Sequence, residues 1–454
     1  MTRLGGSRGF RLRIARAKSL ATQPNGEGEP VMTDSEVRKL TIMPFAGALR
    51  GKVTPPGSKS ITNRALLVAA LAKGTSRLSG ALKSDDTLYM AQALRAMGVT
   101  VEEPDATSFV VTGDGRLRAP TAPLFLGNAG TATRFLTAAA ALVEGQVVVD
   151  GDEHMRKRPI APLVTALRTL GVAVEAPSGC PPVTIAGQGG FAGGRVEVDG
   201  GLSSQYVSAL LMAGACARGP VEVALTGKEI GARGYVDLTL ATMAAFGAKV
   251  SQPDAASWRI EPTGYRAADY LIEPDASAAT YLWAAEVLTG GAIDLGVPAA
   301  AFTQPDAKAH ALIAAFPNLP AEIDGSQMQD AVPTLAVLAA FNRTPVRFTG
   351  IANLRVKECD RVSALSQGLS RIRPGLGVEE GDDLLVASDP GLAGQTLPAE
   401  IDTFADHRIA MSFALAGLKI GGITILDPAC VAKTYPDYWR ALASLGVRFE
   451  GEAP

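Results

Sequence analysis

The sequence predicts an α/β protein of two domains, assembled from six copies of one helix-and-strand unit, three to a domain. Three observations carry this. The chain has 454 residues, too many for one ordinary core. Its composition, 47% hydrophobic and 19% charged with 49 glycines, favours helices packed closely on sheets over disorder. Six times a small or polar loop runs into an Ala/Leu-rich helix, and internal repetition of this length marks a small α/β unit rather than a solenoid turn.

Taken in chain order, residues 1–38 form an extension outside the repeats. It carries Arg3, Arg8, Arg11, Arg13, Arg16 and Lys18 with no acid among residues 1–20, a composition shared by transit peptides. The simpler expectation is a flexible, dispensable leader before a body that begins near Met32 or Met43. Residues 39–55 are strand-like. The helices then open at Ser60 (S-I-T-N-R-A-L-L), Gly130 (G-T-A-T-R-F-L-T), Ser203 (S-S-Q-Y-V-S-A-L), Asp275 (D-A-S-A-A-T-Y-L), Gln329 (Q-D-A-V-P-T-L-A) and Asp406 (D-H-R-I-A-M-S-F). After each, a β-like run, a loop, a second helix and a last strand are expected. In the first unit Gly98 closes the second helix before V-T-V-E-E, a familiar helix-to-strand boundary. The expected division is residues 58–264 for repeats one to three, and 39–57 plus 265–454 for repeats four to six. If the N-terminal strand pairs with the second domain, the chain crosses twice and a cleft lies between the lobes.

A net charge of −2 gives no overall attraction for nucleic acid, so anion binding must come from local clusters. No apolar run approaches a membrane span; even residues 135–149 are broken by Glu144 and Gln146. Cys180, Cys216, Cys359 and Cys430 stand far apart, and His154, His310 and His407 lack ligand spacing. Free thiols in a reducing cytoplasm and no structural metal are therefore expected.

Cations gather where these helices begin and in the loops that face them. Lys59 and Arg64, Arg134, and Arg408 stand at helix starts; Arg156, Lys157 and Arg158, then Arg355, Lys357 and Arg361, then Lys433, stand in loops. Helix N-termini with their unpaired N–H groups collect anions, and cations repeated at equivalent places point the same way. Asp85, Asp86, Asp330, Glu358, Asp360 and Asp406 are interleaved, so the site has acid–base groups. P-P-G-S-K-S lacks phosphate-loop spacing, and no dinucleotide fingerprint follows a strand.

Seven segments, P-G-S-K-S-I-T-N-R, L-G-N-A-G-T-A-T-R, Arg158-Pro159-Ile160, S-S-Q-Y, N-L-R-V-K-E-C-D-R, D-H-R-I-A-M and K-T-Y-P-D-Y, occur in the order found in the 5-enolpyruvylshikimate-3-phosphate synthases. The chain closely resembles that enolpyruvyl transferase family over residues 41–446. The resemblance implies an inside-out α/β barrel: two lobes, each of three βαβαββ units about a pseudo-threefold axis. It implies enolpyruvyl transfer from phosphoenolpyruvate to the 5-hydroxyl of shikimate-3-phosphate by addition and elimination, by a monomer without metal or cofactor. Carried over by motif, shikimate-3-phosphate would be held by Lys59, Ser60, Arg64, Ser203, Ser204, Gln205, Tyr235, Asp330, Asn353 and Lys357. Phosphoenolpyruvate would meet Lys59, Asn128, Gly130, Arg158, Gln205, Arg361, His407, Arg408 and Lys433. Lys59 and Glu358 would move protons and Asp330 would position or deprotonate the hydroxyl. Sensitivity to glyphosate is implied by Gly130.

Three positions depart from the family pattern. Ala232 replaces a serine that helps hold substrate phosphate, and Lys228 or Arg233 is the expected substitute. Cys359 stands where threonine is usual and Phe135 where proline is common, both expected as packing changes. The sister reaction on UDP-N-acetylglucosamine needs a loop cysteine in the second unit, and none of the four cysteines lies in the corresponding glycine-rich region. A non-catalytic anion-binding protein is the other alternative, opposed by the presence of both Lys59 and Glu358.

Overall fold

The computed structural model of the chain describes residues 38–199, 201, 203–226 and 233–451, so the Arg-rich extension, Lys228 and Ala232 lie outside the described residues. Two hydrophobic cores form. One gathers buried side chains from Ile61 to Ile272; the other joins Leu40, Ile42, Leu49 and Val53 to residues between Ala276 and Val447.

Helices occupy the middle of each core: Lys59–Leu71, Gly130–Ala140 and Ser204–Gly214 in the first, Ala276–Thr289, Val332–Ala339 and His407–Gly417 in the second. Beyond the polar residues of their first two turns, their sequences are apolar or small nearly all round, as a helix without a solvent face requires. Every residue of Gly130–Ala140, Val332–Ala339 and His407–Gly417 is buried. The sheets lie outside. Strand Gly421–Leu426 alternates buried with half-buried positions, one face on the helices and one toward solvent. Helices within and sheets without make the barrel inside-out.

The sheets repeat one order. Leu124–Phe125 pairs parallel with Glu144–Asp150, which pairs antiparallel with Val183–Gln188, which pairs antiparallel with Ala173–Glu175. The sheets led by Gly194–Asp199 and Glu322–Asp324 follow the same plan. Two others are completed by segments from elsewhere in the chain. Tyr265–Arg266 and Tyr270–Leu271 lie parallel to Ala72–Ser79 of the first unit. Lys39–Ile42 lies antiparallel between Gly421–Leu426 and Phe449–Glu450 of the sixth.

The fourth unit corrects the expected pattern. Its sheet has two strands, Arg50–Lys52 parallel to Ala292–Asp294, and the chain passes from helix Ala309–Ala314 to Glu322–Asp324 of the fifth unit without a last strand. Pro317 and Pro320 occupy that connection, and proline cannot donate to a strand ladder.

The two crossings between cores run side by side. Gly57 bridges Pro274, Ser58 N donates to Glu273 O at 2.9 Å, and Asp275 N donates to Pro56 O at 2.8 Å. Gln304 fastens them, accepting from Ser58 Oγ at 2.7 Å while donating to Glu273 Oε1 at 2.8 Å and Pro274 O at 2.7 Å. Gly98 sits at φ 86° just past helix Asp85–Ala96, as its place in the sequence predicts. Among the described residues no helix is long and apolar enough to cross a membrane, and the four cysteines are free.

Candidate active site

The central helices of the first core present their N-termini to the second core. Ser58 caps the first, accepting from Ile61 N at 3.4 Å, and Asp275 Oδ2 accepts from Lys59 N at 3.1 Å. Ser203 caps the third, accepting from Gln205 N at 3.2 Å. The helix beginning at Gly130 has no side-chain cap; Gly130 N donates to Asn128 O at 3.0 Å, and the helix start otherwise suits an anion.

Between these helix starts and the second core is a cavity of about 40 Å³. Lys59, Ser60, Arg64, Ser203, Ser204, Gln205, Tyr235, Asp330 and Lys357 line it, as the sequence predicts for one substrate. Thr131, at a helix start whose residues suit anions, and Gln329 line it as well, although neither is assigned to that substrate by motif; they neighbour the motif residues Gly130 and Asp330. Asn353 is not among the lining residues, and its Oδ1 is buried without a hydrogen-bond partner.

Arg64 is buried and faces no carboxylate within ion-pair distance among the described residues. It donates to Thr239 Oγ1 at 2.7 Å, Ser60 O at 2.8 Å, Tyr235 O at 3.1 Å and Ser208 Oγ at 3.2 Å. Those bonds fix the guanidinium and leave one of its five N–H donors for a ligand. Burial pulls its pKa down to about 10. The Phe135 ring supports it, 5.2 Å from Cζ, so Phe135 does more than fill the core.

Beside the cavity, cations and carboxylates alternate. Arg361 Nε donates to Asp406 Oδ2 at 2.7 Å, Nη1 to Asp330 Oδ1 at 3.0 Å and Nη2 to Glu358 Oε2 at 2.7 Å. Arg408 Nη2 reaches Asp330 Oδ2 at 2.9 Å, and Lys357 stands 4.0 Å from the same carboxylate. From the first core, Arg158 lies 3.8 Å from Glu358 and donates to Asn128 Oδ1 at 3.0 Å. Lys433 lies 3.2 Å from Asp86 and 3.8 Å from Glu358, and donates to Asn128 O at 2.5 Å; Lys59 lies 3.4 Å from Asp86. Gly130 lets two guanidiniums close in here: a Cβ on it would fall 2.6 Å from Arg134 Nη1 and 2.8 Å from Arg158 Nη1.

Burial alone would raise the carboxylates, yet Arg361, Arg158 and Lys433 hold Glu358 well below the usual range, and Arg408, Lys357 and Arg361 do the same to Asp330. Both therefore rest ionised. His407 is fully buried with neither ring nitrogen hydrogen-bonded; burial, helped by Arg408, drives its pKa well down and keeps it neutral. Cys359 Sγ stands 3.6 Å from Asp406 Oδ2, so it touches this network as well as the core. The arrangement suits two polyanions packed together, with planar guanidinium forks for carboxylate and phosphate and carboxylates able to take protons.

A larger cavity, about 770 Å³, lies at the opposite ends of the first core's three central helices. Helix C-termini meet there, with Arg116, Arg118 and Arg218 at its wall and Glu144 as the acid, and no acid–base cluster forms.

A family model described as "EPSP synthase (3-phosphoshikimate 1-carboxyvinyltransferase)" matches residues 45–442. The chain is 74% identical over 412 residues to a 3-phosphoshikimate 1-carboxyvinyltransferase of Rhizobium leguminosarum bv. trifolii (strain WSM2304), covering 91% of this chain and 98% of that one. It is 73% identical over 408 residues to the protein of the same name from Pseudomonas syringae pv. syringae (strain B728a), covering 90% and 98%. Among solved structures, EPSP synthase from Acinetobacter baumannii superposes with a TM-score of 0.74 at 26% identity, covering 91% of this chain and all of that one.

Proposed function

The chain belongs to the EPSP synthase family and transfers the enolpyruvyl group of phosphoenolpyruvate to shikimate-3-phosphate in the shikimate pathway, and we propose how its residues divide that work. Shikimate-3-phosphate occupies the cavity, its phosphate on Ser203, Ser204 and Gln205, its carboxylate on the remaining Arg64 donor with Tyr235 beside it, and its ring hydroxyls against Asp330 and Lys357. Asn353 is assigned to the same substrate, from the second lobe. Phosphoenolpyruvate binds between Asn128, Gly130 and Arg158 of the first lobe and Arg361, His407, Arg408 and Lys433 of the second, within reach of Lys59 and Gln205.

Asp330, ionised at rest, positions the 5-hydroxyl or takes its proton as the oxygen attacks C2 of phosphoenolpyruvate. C3 gains a proton in the same addition; the tetrahedral intermediate then loses phosphate and a C3 proton. Glu358 and Lys59 carry out those transfers. Glu358 rests as a carboxylate because three cations face it. An arriving phosphoenolpyruvate competes for those cations, which raises the affinity of Glu358 for a proton when an acid is required.

The observation that supports this most is the alternation of Glu358 and Asp330 with Arg158, Arg361, Arg408 and Lys433 across the two lobes. We assign the lobes as residues 58–274 and 39–57 plus 275–454, dividing later than the residue 264 expected from the sequence, because Tyr265–Arg266 and Tyr270–Leu271 complete the first unit's sheet and Tyr265 and Ile272 lie in the first core; the active form is assigned as a cytoplasmic monomer. Phosphate release from phosphoenolpyruvate, measured with shikimate-3-phosphate and separately with UDP-N-acetylglucosamine, tests the substrate. Release with the first alone is expected; release with the nucleotide sugar alone overturns it.

A further inference from the structure

Asp306 belongs to no motif that pointed to the site, yet it stands at the join between the lobes. It lies in the turn Pro305–Lys308 of the second core and is fully buried. Its Oδ2 accepts two short hydrogen bonds, from Tyr235 Oη of the first core at 2.7 Å and from Ser277 Oγ of its own core at 2.6 Å. Its Oδ1 is buried without a partner among the described residues. The neighbouring backbones are equally close: a Cβ on Gly234 would fall 2.8 Å from Pro305 Cβ, and Arg233 N donates to Gln327 Oε1 at 3.1 Å. Thus the start of helix Gly234–Ala245 is seated on the second core through one turn of chain, with the Tyr235–Asp306 bond as its polar centre.

We infer that Asp306 is a positioning residue that pins Tyr235 across the cleft when the lobes meet, and thereby sets the affinity for shikimate-3-phosphate. This rests on the placement of Tyr235 beside that substrate proposed above. Asp306 touches neither reacting group; it acts through the tyrosine. Ser277 is the fixed second donor that holds the carboxyl ready, so the pin is complete on the second lobe before closure.

Closure also buries this carboxyl. The groups facing it are Tyr235, Ser277, Asp330 and Arg408; burial and the negative charge of Asp330 outweigh Arg408 and push its pKa from 3.8 up to about 6. A group whose pKa rises on closure favours the closed state when protonated, and that advantage is lost as pH rises through about 6. Substrate affinity attributable to Asp306 should therefore weaken roughly tenfold between pH 5 and pH 7, with little further change above.

The test is steady-state kinetics with shikimate-3-phosphate varied, on Asp306→Ala, Asp306→Asn, Tyr235→Phe and the Asp306→Ala/Tyr235→Phe double variant, each checked for folding by circular dichroism. At pH 7, Asp306→Ala and Tyr235→Phe should each raise the Michaelis constant on the order of tenfold, the loss of one hydrogen bond to a charged group. kcat should change less, and the double variant should be no worse than either single one. Asp306→Asn keeps an acceptor of the same shape and should restore the constant to within about threefold. The ratio of wild-type to Asp306→Asn constants, in which the substrate's own titration cancels, should change between pH 5 and pH 7. Multiplying effects in the double variant, or a ratio flat with pH, would overturn the pin. If Tyr235→Phe raises the constant and Asp306→Ala does not, the pin falls while the placement of Tyr235 stands. If neither moves it, both fall.

Discussion

At the scale of single residues, the cations of the site are held by specific neighbours, and Gly130 shows how little slack they have. A Cβ there would lie 2.6 Å from Arg134 Nη1, 2.8 Å from Arg158 Nη1 and 2.9 Å from Arg158 Cζ. Those are the far ends of flexible side chains, so Gly130→Ala should displace Arg158 rather than unfold the protein. The Michaelis constant for phosphoenolpyruvate should rise about tenfold, with that for shikimate-3-phosphate and the melting temperature nearly unchanged, one weakened charged contact being worth on the order of 1.5 kcal/mol. Inhibition by glyphosate, implied by the family resemblance, should be relieved in the same variant. Steady-state kinetics with each substrate varied checks both. Lys59, Arg158, Glu358 and Arg361 were legible in the sequence because each sits in a run of charged or capping residues at a repeated place. Asp306 was not, because Q-P-D-A carries no local pattern and its importance comes from a tyrosine 71 residues away. Phe135 was read as packing alone, because a cation above its ring is invisible until Arg64 is placed.

At the scale of elements, the six helices were legible because uninterrupted Ala/Leu-rich runs, too long for a strand, recur behind small or polar loops, and Ser58, Ser203, Asp275 and Asp406 cap four of them. The sheet partners were harder. That residues 265–271 would complete the first unit's sheet, and 50–52 the fourth's, depends on pairings between distant segments that no local sequence announces. The prolines after helix Ala309–Ala314 were in view, but the expectation of equivalent units overrode them. The paired crossings give a prediction at this scale. Gln304→Leu would remove the acceptor of Ser58 Oγ and the donor to Glu273 and Pro274. Ser58 Oγ is fully buried and would lose its acceptor, while Glu273 keeps its bonds from Thr303, so the change should cost about 1–3 kcal/mol, the range for one unsatisfied buried group. Because Ser58 caps the helix that begins with Lys59, activity should fall as well. Denaturant unfolding beside kinetics measures both; unchanged stability would show that the crossings are not held by this side chain.

At the scale of the whole molecule, the lobes are in contact across the site. Lys433 reaches Asp86 and the Asn128 carbonyl, Arg158 reaches Glu358, and Tyr235 reaches Asp306. Those contacts close the cleft around the cavity, so substrates enter after the lobes part. Small-angle scattering should accordingly show a smaller radius of gyration with shikimate-3-phosphate and phosphoenolpyruvate than without; equal radii would mean entry by another route. The account as a whole rests on cations that exchange resident carboxylates for substrate, with Glu358 as the proton carrier among them. Its most direct test is Glu358→Gln, measured by equilibrium binding of phosphoenolpyruvate beside turnover. The glutamine keeps the shape but cannot exchange a proton, and it frees Arg361, Arg158 and Lys433 from a competing charge. Turnover should fall at least about 100-fold while phosphoenolpyruvate binds as tightly as before or more so. Turnover above a tenth of the wild-type value, or a parallel loss of affinity, would make Glu358 a structural partner of the arginines and contradict the account.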